Sequence, residues 1–190
     1  MGCIESAPRE VGNPLVGKQV KNLFESKIVL LGDSAVGKSS LALRFCQGRF
    51  PRSHEVTIGA AFMQQTVRLS DGTSHKLNIW DSGGQERFRA MAPLYYRDAS
   101  GAVIVFDCTS ESSFESVKFW INELSQKGPA NCLIVVVLNK CDIPESSREV
   151  ETSTARSFCD ERGIRFFEAS ALSGQGVSDV FEHLAHNFKK

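Results

Sequence analysis

Apolar positions along this chain fall into short blocks of two kinds. Lys27 to Leu31 is an apolar run closed by Gly32, and Ser39 to Gln47 follows with Leu41, Leu43 and Phe45 at helix-compatible spacing. The reading is strand, loop, helix. Phe62 to Leu69 and Lys76 to Trp80 flank the turn-forming residues Ser70-Asp71-Gly72-Thr73, which predicts an antiparallel hairpin. Gly101 to Phe106, Cys132 to Leu138 and Ile164 to Phe167 are continuous apolar runs, the mark of strands covered on both faces. Phe114 to Gln126, Thr152 to Glu161 and Val177 to Phe188 fit amphipathic helices, the first behind the cap-like Thr109-Ser110-Glu111.

This alternation predicts an α/β three-layer sandwich with a six-stranded, mostly parallel sheet, one antiparallel strand and about five helices. Ligands of such a fold belong at the carboxyl ends of the strands. Met1 to about Ser26 mixes Pro8, Pro14, Gly12 and Gly17 with polar residues and lacks sustained apolar periodicity. It is expected to be a flexible extension (1–26), with one domain over 27–190.

A length of 190 residues with 42% hydrophobic content suits one core. The 22 basic and 22 acidic residues balance, so no whole-molecule field attracts nucleic acid, and no nucleic-acid partner is expected. Six cysteines without a CxxC pair imply a reducing compartment rather than a disulfide or zinc framework.

Candidate chemistry begins at Gly32-Asp33-Ser34-Ala35-Val36-Gly37-Lys38-Ser39, a G-x-x-x-x-G-K-[ST] pattern placed between a strand and a helix. There the backbone amides of residues 33–39 can meet phosphate oxygens, Lys38 can reach the β and γ groups, and the Ser39 hydroxyl can ligate Mg²⁺. Asp81, at a strand end, is the candidate metal carboxylate. In Gly84-Gln85-Glu86, glycine permits close approach to a phosphate, and the Gln85 amide can orient an attacking water.

Asn139-Lys140-Cys141-Asp142 follows a buried strand. An aspartate there can accept from guanine N1–H and N2–H₂, where adenine offers no donor, so Asp142 would discriminate the base. Ser170 and Ala171 in Glu168-Ala169-Ser170-Ala171 can supply a backbone amide to the guanine carbonyl.

Together these motifs resemble the Ras-like small GTPases over Lys27 to Lys190. The resemblance implies GTP or GDP with Mg²⁺ as ligands and slow GTP hydrolysis. Metal ligands would be Ser39, Thr57 of Thr57-Ile58-Gly59, and Asp81. The nucleotide would lie on 33–39 with Ser40, Phe50, Thr57, Gly84, Asn139, Lys140, Asp142, Ser170, Ala171 and Leu172. Gln85, Lys38 and Gly84 would serve catalysis.

Within that family, Ile58-Gly59-Ala60-Ala61-Phe62 and Tyr95-Tyr96-Arg97 are similar to the Rab branch, and Ala60-Ala61 to its endosomal, Rab-five-type members. Phe62, Trp80 and Tyr95 match the aromatic triad that Rabs present to effectors. The sequence departs from the pattern at Gly83, Asp98 and Leu172, which stand for a usual alanine, glycine and lysine.

The last cysteine is Cys159, whereas Met1-Gly2-Cys3-Ile4-Glu5-Ser6 fits the myristoylation pattern M-G-x-x-x-[ST]. Myristate on Gly2 and palmitate on Cys3 are the expected anchors, as in plant-type N-terminally acylated Rabs. The implied partners are an exchange factor, a GTPase-activating protein, effectors and, through acylation, a membrane; the chain is expected to be a monomer. The implied location is the cytoplasmic face of endosomal or vacuolar membranes, with plasma-membrane association. Two rival readings are a fold that holds nucleotide without hydrolysing it, against which Gln85 and Thr57 argue, and a small-molecule phosphotransferase, for which the sequence shows neither an acceptor site nor an Arg-rich lid.

Overall fold

Strand β4 (Gly101–Asp107) is the clearest statement of the architecture, because all of its residues are buried. Val103 and Val105 point into one core, and Ala102, Ile104 and Phe106 into another. Alternation of side chains along a strand turns one continuous apolar run into the middle layer of a sandwich. The computed structural model describes residues 23–51 and 56–188.

Around β4 the sheet has six strands in the order β2-β3-β1-β4-β5-β6. These are β1 (Leu23–Leu31), β2 (Ala60–Arg68), β3 (Ser74–Ser82), β4, β5 (Leu133–Asn139) and β6 (Arg165–Glu168). β2 and β3 form the expected antiparallel hairpin, with Phe62 opposite Trp80. Every other neighbouring pair is parallel.

Helices α1 (Lys38–Gln47) and α5 (Val177–Asn187) cover one face through Leu41, Ala42, Val180, Phe181 and Leu184. Helices α2 (Ala92–Tyr96), α3 (Glu111–Lys127) and α4 (Thr152–Asp160) cover the other through Tyr96, Phe114, Trp120, Leu124 and Ala155. Ser110 caps α3, its hydroxyl accepting from Ser113 N–H at 3.3 Å.

The first strand starts earlier than the apolar pattern indicates. β1 begins at Leu23, ahead of Lys27, and Leu23 to Lys27 pair in register with Ser74 to Asn78. The first three residues of β1 are exposed, so no apolar block announces them. Backbone pairing and the exposed Lys76–Glu25 contact at 3.3 Å hold this part instead. Between Asp81 and β4 the chain adds a 3₁₀ segment (Glu86–Met91) and the short α2, neither of which the periodicity indicated.

The chain passes from β1 to β3 on one side of the sheet, then returns to β4 on the other side of β1. The carboxyl ends of β1 and β4 therefore diverge around a crevice, the usual ligand position in such sheets. No helix among the described residues is long and apolar enough to cross a membrane.

Candidate functional site

The crevice holds a cleft of about 730 Å³ lined from the P-loop (Ser34, Ala35, Gly37–Ser40), residues 50–51 and 56–57, Gly84, Asn139–Lys140, Asp142–Ile143 and Ala171–Leu172. Loops that follow β1, β3, β5 and β6 all open onto the same edge.

 The glycine positions show how tightly these loops close. Gly37 has φ +97°, and a Cβ there would sit 2.2 Å from Asn139 Nδ2. A Cβ on Gly84 would lie 2.3 Å from the Asp33 carbonyl oxygen and 2.4 Å from Lys38 Nζ. Both positions therefore require the smallest residue, because the backbone itself is the packing surface.

At the phosphate end, Gly37 caps α1 without a side chain, so no side-chain acceptor takes up the amides of its first turn. Those amides and the positive end of the helix dipole favour an anion. Lys38 is 5% exposed. Its ammonium donates to the carbonyls of Gly32 at 2.9 Å and Asp33 at 2.6 Å. Burial lowers its pKa to about 8, against the opposing pull of Asp81 and Asp33. A buried ammonium resting on two carbonyls is a charge in want of a stronger anion.

At the other side of the P-loop three oxygens converge. Ser39 Oγ lies 2.7 Å from Thr57 Oγ1 and 2.5 Å from Asp81 Oδ2, and Thr57 Oγ1 is 3.4 Å from that same carboxylate oxygen. Asp81 is 1% exposed, and its Oδ1 has no hydrogen-bond partner among the described residues. Burial raises the Asp81 pKa, while Ser39, Lys38 and Thr57 act to lower it. Two hydroxyls and a desolvated carboxylate form a hard oxygen set of the kind magnesium takes, alongside phosphate oxygens and water. The orphaned Oδ1 adds an acceptor to that set, so the residues present fit the ion.

Gln85, the residue after cleft-lining Gly84, has a buried Oε1 that also lacks a partner among the described residues. Gly83 N–H donates to Gly59 O at 2.7 Å, which ties the segment after Asp81 to the one after Thr57.

At the end of the cleft near β5 and β6, Asn139 is 1% exposed and bridges two loops. Its Nδ2 donates to Val36 O at 2.7 Å, and its Oδ1 accepts from Ala171 N–H at 3.2 Å. Ser170 Oγ donates to Asp142 Oδ1 at 2.5 Å, which fixes the orientation of that carboxylate. Lys140 has φ +65°, and its ammonium donates to Asp107 Oδ2. Phe50 lines the cleft while packing against the core, and Leu172 lines it with 55% of its surface exposed.

The structure thus brings Ser34, Ala35, Gly37, Lys38, Ser39, Ser40, Phe50, Thr57, Gly84, Asn139, Lys140, Asp142, Ala171 and Leu172 to one cleft. Val36 and Ser170 support it from behind, as the bonds to Asn139 and Asp142 show. Asp33 faces elsewhere with its side chain: Oδ1 accepts from Arg89 at 2.7 Å and Oδ2 from Ser116 at 2.6 Å. Phe62 and Trp80 meet in a T-shaped contact at 5.4 Å, and Tyr95 is half-buried, packed with Trp80 against the same core. Gly2 and Cys3 lie outside the described residues.

Sequence reasoning missed Asp107, Arg44 and Arg89. Asp107 ends β4 and its Oδ1 also accepts from Thr109 N–H at 2.9 Å, so a strand-end acid before a helix was the available signal. Arg44 and Arg89 carried none.

Residues 27–190 match the Ras family. The chain is 48% identical to Ras-related protein Rab-5B of Plasmodium falciparum (isolate 3D7), over 97% of this chain and 92% of that protein. It is 46% identical to Ras-related protein Rab-5A of Dictyostelium discoideum, over 88% of this chain and 83% of that one. It is also 46% identical to GTP-binding protein ypt5 of Schizosaccharomyces pombe (strain 972 / ATCC 24843), over 85% and 77%.

Proposed function

The chain belongs to the Ras family and is a small GTPase of the Rab type that acts in endosomal traffic; from that premise we propose how its own residues run the switch. The carrying observation is the convergence of Ser39 Oγ, Thr57 Oγ1 and Asp81 Oδ2 beside the buried Lys38.

GTP lies with its phosphates on the amides of 33–39 and its base between Phe50, Lys140 and Leu172. Asp142 accepts from the guanine donors, and Ser170 holds the carboxylate in place for that task. Ser39 and Thr57 would hold Mg²⁺ directly and Asp81 through water, and the ion would supply positive charge to offset that of the phosphate oxygens.

In the chemical step, water attacks the γ-phosphorus while the bond to the β–γ bridging oxygen breaks, giving GDP and phosphate. Gln85 orients the water, with its buried Oε1 accepting one water proton as a hydrogen bond. Lys38 and the Gly84 N–H stabilise the charge on the departing groups. Loss of the γ-phosphate releases Thr57 and Gly84, and the two segments relax together through the Gly83–Gly59 bond.

Phe62, Trp80 and Tyr95 form the effector surface whose shape follows that change. An exchange factor and a GTPase-activating protein set the two rates. The leader motif Gly2-Cys3 takes myristate and palmitate, two chains being needed because one holds a membrane only marginally. The acylated chain works as a monomer on the cytoplasmic face of endosomal or vacuolar membranes and associates with the plasma membrane.

Single-turnover hydrolysis of GTP by wild type and Gln85→Leu tests the chemistry. A drop of at least about tenfold is expected, since positioning groups of this kind act at that scale or above. Equal rates would remove Gln85 from the mechanism. Intact mass of the chain from a eukaryotic host tests acylation: one added myristoyl group on Gly2 is expected, and an unmodified N-terminus contradicts it.

A further inference from the structure

We infer that Arg44 is the positioning residue of the base end: its guanidinium fastens the Ala171–Leu172 loop to helix α1 and thereby sets how long the nucleotide stays. The inference rests on the nucleotide reading above.

Three carbonyls converge on this one side chain. Arg44 Nε donates to Ala171 O at 2.8 Å, Nη2 to Leu172 O at 2.5 Å, and Nη1 to Gly48 O at 2.8 Å. Gly48 is the C-cap of α1, and its own N–H donates to Arg44 O. A single planar group thus joins the end of the helix to the loop that lines the base pocket. The fork geometry of guanidinium suits several fixed acceptors, which an ammonium on a flexible stem cannot satisfy at once.

Gly174 lies beside this side chain: a Cβ there would be in ordinary contact with Arg44 Cδ at 3.6 Å, and it is the φ of +92° that calls for glycine. The loop is gripped from two sides, by Arg44 at the Ala171 and Leu172 carbonyls and by Asn139 at the Ala171 amide.

Leu172 explains why the grip matters in this chain. Leu172 is 55% exposed, so its own side chain adds little apolar burial to its end of the loop, unlike Ala171 before it at 3%. Backbone bonds supply the order at Leu172. Helix α1 then carries both ends of the site: Lys38 and Ser39 in its first turn and Arg44 two turns on. Loosening the Arg44 contact lets the base end open while the phosphate and metal end stays formed.

Release of a fluorescent GDP from the full-length chain, measured with magnesium present and again with EDTA, tests this. Arg44→Ala should release GDP roughly tenfold faster, the order expected when hydrogen bonds from a charged group are lost. Arg44→Lys, which keeps the charge but can satisfy fewer carbonyls, should fall between it and wild type. EDTA should accelerate all three by the same factor, because the metal end is untouched. Arg49→Ala removes a nearby charge whose Nε donates to Gln47, and should release at the wild-type rate.

Unchanged release in Arg44→Lys and Arg44→Ala overturns the inference, as does a difference that EDTA abolishes. If Arg44→Ala does not fold, Arg44→Lys alone decides. Failure of wild type to hold GDP would instead overturn the nucleotide reading, and this inference with it.

Discussion

Asn139 donates from Nδ2 to the carbonyl of Val36 at 2.7 Å, joining the loop after β5 to the loop after β1. The contact spans the crevice between strands that are not neighbours, since β4 lies between β1 and β5. The same side chain receives Ala171 N–H. Asn139→Ala strips a buried acceptor and a buried donor of their partners, at a cost of about 1–3 kcal/mol each. GDP release should accelerate at least about tenfold, with a lower melting temperature, as fluorescent-nucleotide release and calorimetry would read.

Gly84 offers a sharper separation of binding from chemistry. A methyl group there meets Asp33 O and Lys38 Nζ, so Gly84→Ala must push the segment away from the P-loop. GTP hydrolysis should fall by about 10² or more, the scale seen when an oxyanion donor is lost. GDP affinity should change far less, because the base end is remote. Single-turnover hydrolysis and equilibrium GDP binding on the same preparation check both halves.

Gln85 has a buried amide oxygen without a partner among the described residues, which costs stability in the absence of substrate. Gln85→Leu removes that penalty. The variant should melt at or above the wild-type temperature in its GDP form while losing hydrolysis. A melting point well below wild type would show that the amide supports the fold.

Lys38 makes nucleotide binding proton-linked. Burial holds its pKa at about 8 without a ligand, and bound phosphates favour the ammonium and raise it. Above pH 8 the bound state therefore holds more protons than the empty one, so affinity declines as pH rises. Below pH 8 both states are protonated and affinity is flat for this group. Calorimetry of GDP binding in buffers of different ionisation heat should show proton uptake at pH 9 and far less at pH 7.

Burial also raises the thiol pKa of Cys46, Cys132 and Cys159 from 9.0 to about 11. The thiolate fraction near pH 8 drops about a hundredfold, since two pK units separate the values. These cysteines should react with iodoacetamide that much more slowly than in the unfolded chain, read by mass spectrometry of labelled peptides.

The parts legible in the sequence were those whose signal is local. Gly101 to Phe106 announces β4 because each residue is buried, and Gly32 to Ser39 announces the phosphate loop because a turn, a lysine and a hydroxyl must stand in that order. Leu23 to Ser26 gave no warning of a strand, because its outer residues are exposed and its order comes from β3. Arg44 was illegible for a related reason. Its acceptor Ala171 O lies 127 residues away, and a backbone carbonyl carries no residue identity to match. Asp33 was read for its amide, whereas its side chain serves Arg89 and Ser116, partners that only the tertiary placement of the 3₁₀ segment and of α3 brings near.

The most direct measurement is the nucleotide content of the purified full-length chain, extracted and separated by chromatography after preparation in magnesium and, separately, after EDTA. The account predicts close to one guanine nucleotide per chain with magnesium, no adenine nucleotide, and extensive loss on chelation. A chain that carries no guanine nucleotide with magnesium plentiful, and takes up none when GDP is added, contradicts it.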